Sequence, residues 1–459
     1  MLIRMSSKNP FSCKPPFPPD SKPSLTRRDL LTAATVGSLL GAGSGWTAPE
    51  LPVSSRELWG WVRAQQVLDS QLTYLDTGTF GPGLRSALVA EYREQESYNS
   101  DADTYRRQRF APQAITALAE RLGGMFGCDA DEIALTQGAS EALNIVANGL
   151  QLTAGDEIVT TTHEHASALY PWQLQAERRG ISVKQVALPS PLQDSAQALG
   201  LIASAVTDRT RVIAFSHVQY TDGAVLPAAD ICTFARQRNI LSLIDGAQAC
   251  GSIEVDLHGI GCDFYAGCLH KWLNAPQGLG FLYVRSDRLD SLWPLVVDAR
   301  WGWRVDDADG SSYGIVDDTA AHREHWPATW RKFGWPTRFW GPKFKALESA
   351  LDFRLLLGAE RIEARIRELA IYTRLRLQAL SDIELLTPPQ PGMWAGIVSF
   401  RPRRGAAREL AERLTRNERV VVSAVEHQTS QFAAVRACLH IYNSHDDVER
   451  LLRGVQKYL

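Results

Sequence analysis

From Gln71 onward the chain alternates short apolar runs with longer stretches whose apolar residues recur at helical spacing. Glu132 to Thr136, Glu157 to Thr161, Arg211 to Phe215, Ile240 to Ile244 and Phe281 to Val284 predict strands, while Ser140 to Gly149 and Ala228 to Arg238 predict helices. Strands that are apolar on both faces and separated by helices indicate a mostly parallel sheet covered on both sides. Right-handed crossovers then bring the strand C-termini to one edge, where α/β proteins bind ligands. After Asp298 the pattern changes. Trp301, Trp303, Trp326, Trp330, Trp335 and Trp340 crowd a charged stretch, followed by a helical pattern from Pro342 to Leu380, short strands and a last helix from Asp446 to Tyr458. The expected organisation is a leader over 1–48, a segment over 49–70 packing on the small domain, a large α/β domain over 71–300, and a smaller α+β domain over 301–459.

The first fifty residues stand apart. A Pro-rich polar stretch from Pro10 to Pro23 precedes Thr26-Arg27-Arg28-Asp29-Leu30-Leu31 and an uncharged small or apolar run to Gly45. This is the layout of a secretory signal, too short for a comfortable membrane span. The paired arginines resemble a twin-arginine (Tat) signal, which exports folded proteins, so the expected location is the periplasm and the export machinery an expected partner. Trp46 stands where a small residue is expected before the cut, which leaves the cleavage site anywhere from Gly45 to Ala48.

Among 459 residues the formal net charge is −2, with no basic block, which argues against nucleic acid or an anionic membrane as partner. No stretch past residue 50 is long and apolar enough to span a bilayer. The seven cysteines, Cys13, Cys128, Cys232, Cys250, Cys262, Cys268 and Cys438, form no Cys-x-x-Cys pair, and no histidine cluster sits at zinc spacing, so no metal site is expected.

The chemistry-bearing residues follow the strands. Gln137-Gly138-Ala139-Ser140 is a small-residue turn opening a helix, either a phosphate cradle or an ordinary cap. Asp245-Gly246-Ala247-Gln248 places a carboxylate at the end of a buried strand, which is costly without a cation or donors. Leu269-His270-Lys271-Trp272 sets a lysine among apolar and aromatic neighbours, and a desolvated amine is a nucleophile for a carbonyl.

Taken in this order, from Tyr74-Leu-Asp-Thr77 to the C-terminus, the chain resembles the class V aminotransferase family of fold-type I pyridoxal 5'-phosphate (PLP) enzymes. That group spans cysteine desulfurases, selenocysteine lyases and isopenicillin N epimerase. The resemblance implies an α/β fold with a seven-stranded-type, mostly parallel sheet, PLP as cofactor, and a homodimer. It implies that Lys271 forms the Schiff base and moves the α-proton, that Asp245 holds the pyridine nitrogen, and that Gln248 bonds the ring oxygen. Ala139, Ser140 and His270 would bind the phosphate. His165 would stack on the ring, with His163 the alternative, and Arg436 would grip a substrate carboxylate, a task suited to a bidentate guanidinium.

Departures narrow the activity. Tyr220 in Ser216-His-Val-Gln-Tyr220 replaces an asparagine of many desulfurases, a pattern nearer the epimerase-like branch. Thr337 is the nearest match to the residue that reaches the neighbouring subunit's phosphate. The stretch Arg419 to Gln431 contains no cysteine to accept a persulfide, and Cys438 lies beyond Arg436, which argues against sulfur mobilisation. The expected function is chemistry at Cα of an amino acid or peptide-linked amine: transfer, epimerisation or elimination. The alternative is a tailoring enzyme that modifies an amino-acid side group of a peptide siderophore such as pyoverdine. For that substrate the tryptophans would form an aromatic wall, though core and dimer packing explain them at least as well. A non-catalytic binding protein on the same scaffold is a third reading, opposed by the intact Lys271, Asp245, Gln248 and Arg436.

Overall fold

The computed structural model describes residues 51–52, 54–109, 112–295, 333, 341–427 and 430–459. The leader, the six tryptophans between residues 301 and 340, and Thr337 lie outside them.

Among the described residues, eight strands precede residue 290: β1 Thr73–Tyr74, β2 Ile133–Thr136, β3 Glu157–Thr161, β4 Ser182–Val186, β5 Thr210–Ser216, β6 Leu241–Asp245, β7 Phe264–Cys268 and β8 Gly280–Val284. Seven of them form one sheet in the order β2-β8-β7-β6-β5-β3-β4. β8 runs antiparallel to both its neighbours, and the remaining pairs are parallel. The central strands β3, β7 and β8 are buried at every position, whereas β4, on the edge, alternates exposed and half-buried residues before Val186. Glu157 is a polar residue inside β3, and the hydroxyls of Thr207 (3.0 Å) and Thr210 (2.7 Å) satisfy its carboxylate. The five parallel strands all end on one edge, at Thr161, Val186, Ser216, Asp245 and Cys268.

The C-terminal part contributes β9 Ile383–Leu385, β10 Ile397–Pro402, β11 Val420–Val421, β12 Ser423–His427 and β13 Phe432–Cys438. Four of these make an antiparallel sheet, β12-β13-β10-β9. The helical pattern expected as one run from Pro342 to Leu380 is two helices, Pro342–Leu357 and Ala359–Gln378. Gly358 between them has φ +83°, a conformation that ends a helix and that a side chain disfavours.

The expected boundary at residue 71 assigns β1 to the large domain. β1 pairs in parallel with β11, Thr73 opposite Val420 and Tyr74 opposite Val421, so the first strand lies with the C-terminal part. The helix Ser55–Ala64 is tied to the same region: Arg63 Nη1 bonds Asp447 at 3.0 Å and the Tyr442 carbonyl at 3.1 Å. The described residues belong to one compact unit. None of their helices is long and apolar enough to cross a membrane.

Candidate active site

Ala139, Ser140, His165, Asp245, Gln248, His270, Lys271 and Arg436 all line one cavity of about 640 Å³ at the C-terminal edge of the large sheet. The last wall comes from β12, through Ser423 to Glu426. Of the sequence-predicted site residues, Thr337 alone falls outside the described residues.

Lys271 sits on the short connection between β7 and β8, and four hydrogen bonds anchor the backbone of residues 270–272. The His270 carbonyl accepts from Gly81 N at 3.0 Å, and the Lys271 carbonyl from Thr77 Oγ1 at 3.3 Å. The Trp272 carbonyl accepts from Arg354 Nη1 at 3.0 Å and bonds His440 Nε2 at 2.8 Å. A Cβ added to Gly81 would lie 2.0 Å from the Lys271 carbonyl oxygen, so only glycine allows this approach.

Asp245 closes β6 and is buried. Ala247 N donates to its Oδ1 at 2.9 Å. Burial pushes its carboxyl above the usual range, while that N–H, Lys271 and His165 act in the opposite direction. A carboxylate so placed calls for a cationic partner on its cavity side, and a protonated pyridine nitrogen meets that need. Gln248 is more engaged than its expected role required: Nε2 donates to the Gly78 carbonyl at 2.8 Å, and Oε1 accepts from Trp272 Nε1 at 2.8 Å. One Nε2 hydrogen remains for a ring oxygen.

The turn before the helix Ala139–Gly149 has the form of an anion cradle. The opening N–H groups of a helix lack intrahelical acceptors. Backbones meet closely here, since a Cβ on Gly280 would lie 2.5 Å from Gly138 Cα. Burial, then the Lys271 charge, pulls the His270 pKa down to about 4. Its ring faces the same cavity as the opening of that helix. These three features, an unmatched carboxylate, an N–H cradle and a cavity-side lysine, fit PLP.

Of the two candidate histidines, His165 lines the cavity, and burial followed by the Lys271 charge lowers its pKa. His163 is buried elsewhere, bonded to Thr221 Oγ1 at 2.8 Å and the Leu188 carbonyl at 3.0 Å.

Sequence reasoning passed over several neighbours. Glu164 is fully buried between β3 and β5, accepting from Thr161 Oγ1 (2.7 Å), Ser216 Oγ (2.6 Å) and Ser216 N (3.2 Å). Burial still pushes its carboxyl up to about 7. Asp76 forms an ion pair with Arg436 at 2.9 Å. It stands in the quoted Tyr74-Leu-Asp-Thr77 motif, so its sequence signal was present without a role.

The six described cysteines are free thiols. Two approach the cavity. Cys268 lies against His270 (3.3 Å to Nδ1), and burial raises its thiol; burial likewise raises Cys438 to about 11. Away from the cavity, Asp129, Glu132 and His258 converge within 4.8 Å. Glu132 there bonds His258 Nε2 (2.6 Å), Asp129 N (3.2 Å) and Ser286 N (2.9 Å), an internally satisfied cluster.

Known proteins share this frame. The family described as aminotransferase class-V matches residues 83–451. Isopenicillin N epimerase of Amycolatopsis lactamdurans is 33% identical over 412 residues, covering 87% of this chain and 98% of the relative. A cysteine desulfurase of Cronobacter sakazakii is 28% identical over 430 residues, covering 88% and 96%. Among solved structures, cysteine desulfurase from Thermococcus onnurineus NA1 superimposes with a TM-score of 0.74 at 24% identity, covering 90% of this chain and 99% of that one. A cystine C–S lyase in complex with cysteine persulfide gives a TM-score of 0.70 at 25% identity, covering 84% and 97%. With the α/β architecture, the cavity and these relatives in agreement, the chain belongs to the class-V aminotransferase family and is a PLP-dependent enzyme.

Proposed function

We propose that the enzyme labilises the Cα–H bond of an amino acid or peptide-linked amine, with Lys271 as the group that takes and returns the proton. The observation that carries this reading is the convergence of Lys271, Asp245 and Arg436 on one cavity. PLP, when bound, supplies the electron sink that makes the α-proton acidic. Asp245 would balance the charge of its ring nitrogen, Gln248 and the start of the helix Ala139–Gly149 would hold it, and His165 would pack against it. Arg436 receives a substrate carboxylate, and Lys271 moves the proton at Cα.

Sulfur transfer fits less well. A persulfide acceptor must be a reachable thiolate. Residues 419–431 include no cysteine, and Cys268 and Cys438 are buried with raised thiol pKa values. Likeness to isopenicillin N epimerase supports proton chemistry. A second reading, an exported enzyme tailoring an amino-acid group of a peptide siderophore, draws on Arg27-Arg28 and the tryptophan-rich segment.

The test is deuterium uptake at Cα in heavy water by PLP-loaded protein, offered free L- and D-amino acids and a glutamate-headed siderophore precursor. Lys271→Ala is expected to lower uptake by about 10²- to 10⁴-fold, the usual worth of a positioned acid–base group. Uptake from free amino acids supports the first reading, and uptake from the precursor alone supports the second. Wild-type protein that takes up no label from any of them refutes Cα–H chemistry.

A further inference from the structure

We infer that Asp76 and Thr79 mask Arg436 and thereby set how strongly the site selects carboxylate-bearing substrates. The inference rests on the proposed role of Arg436. Asp76 follows β1 and bridges in parallel to Cys438, two residues beyond Arg436 on β13. Its Oδ1 accepts from Arg436 Nη2 at 2.9 Å, Ser423 Oγ at 2.6 Å and Thr79 Oγ1 at 3.0 Å. Arg436 Nη2 also donates to Thr79 Oγ1 at 2.6 Å and lies 3.2 Å from Ser423 Oγ. Nη1 donates to the Tyr220 carbonyl at 3.1 Å.

A guanidinium grips a carboxylate with two parallel bonds, either end-on through Nη1 and Nη2 or side-on through Nε and Nη2. Both grips need Nη2, whose two hydrogens are already committed. Thr79 and Ser423 line the cavity, whereas Asp76 does not, so the hydroxyls hold the guanidinium from the substrate side and Asp76 balances its charge from behind. The Arg436 side chain is 4% exposed, and its Nε is buried without a hydrogen-bond partner. A substrate carboxylate therefore meets an internally neutralised arginine. It must displace the Thr79 hydroxyl and share the guanidinium with Asp76 to gain a two-point grip.

Calorimetric titration of PLP-loaded protein gives the test, using L-alanine against ethylamine and L-phenylalanine against phenethylamine, each pair differing by the carboxylate. Asp76→Asn removes the charge but keeps an acceptor, and Thr79→Val removes the hydroxyl at similar volume. Each is expected to raise the preference for amino acid over amine by about tenfold, equivalent to about 1.4 kcal/mol. A wild-type preference that Arg436→Gln abolishes, but that both masking variants leave unchanged or reduce, overturns this inference alone. A preference near unity that Arg436→Gln does not alter overturns the role of Arg436 and this inference with it.

Discussion

Replacing Gly81 by alanine is the sharpest test of how Lys271 is held. The added Cβ would stand 2.0 Å from the Lys271 carbonyl oxygen, 2.6 Å from the His270 carbonyl oxygen and 2.9 Å from the Lys271 carbonyl carbon. Real Cβ contacts essentially never fall below 3.0 Å, so one backbone must retreat by about 1 Å. All three atoms are main chain, in a loop fixed by Arg354, His440 and Thr77, and no side-chain rotation relieves the clash. Overpacking of this kind costs about 1–3 kcal/mol in stability. A reacting group displaced by about 1 Å costs on the order of 100-fold in rate. Gly81→Ala should therefore lower the melting temperature modestly and Cα deuterium uptake by about 100-fold, with an altered absorption band for the cofactor if Lys271 holds it as proposed. Parental uptake and spectrum in a folded variant would refute the claim that this contact positions the lysine.

Two further outcomes follow from single positions. Glu164, shifted from 4.5 to about 7 by burial, favours its protonated form in the folded state. Its contribution is then fully present below about pH 4.5 and lost as pH rises through about 7, a loss of roughly 3 kcal/mol. Urea unfolding across this range should show that slope in the wild type and a flatter profile in Glu164→Gln, and equal slopes would contradict it. Gly200, inside the helix Ser195–Ala205, has open space where an added Cβ would stand and no positive φ. Gly200→Ala is expected to stabilise the protein by about 0.5–1 kcal/mol, and a lower denaturation midpoint would oppose this.

Much of the large sheet was legible because its strands are apolar on both faces, and the ends of β5 and β6 lie within one residue of the expected limits. Asp245 and Lys271 were legible because charged residues stand out in such runs. Harder features depend on partners far away in the chain. β1 and β11 have two residues each, too few to carry a period, and their pairing joins positions nearly 350 residues apart. The helix break at Gly358 was missed because a single glycine inside a helical pattern reads as tolerable. The pairing of Asp76 with Arg436 has no local signature, since neither residue's neighbours announce the other. His165 was separable from His163 only by direction: one points into the cavity and the other toward Thr221.

The pairing of β1 with β11 also bears on the order in which the molecule is assembled during synthesis. A ribosome releases the large sheet, Lys271 included, long before Val420 and His440 emerge. Until then the Trp272 carbonyl lacks its His440 contact, and Asp76 lacks Arg436. A competent site is thus a late event, waiting on nearly the entire polypeptide, and contacts of such long sequence separation fold slowly. Chains truncated before Arg436 are expected to retain most of the sheet's hydrophobic residues yet lack a finished pocket, exposing apolar surface that quality-control proteases can recognise.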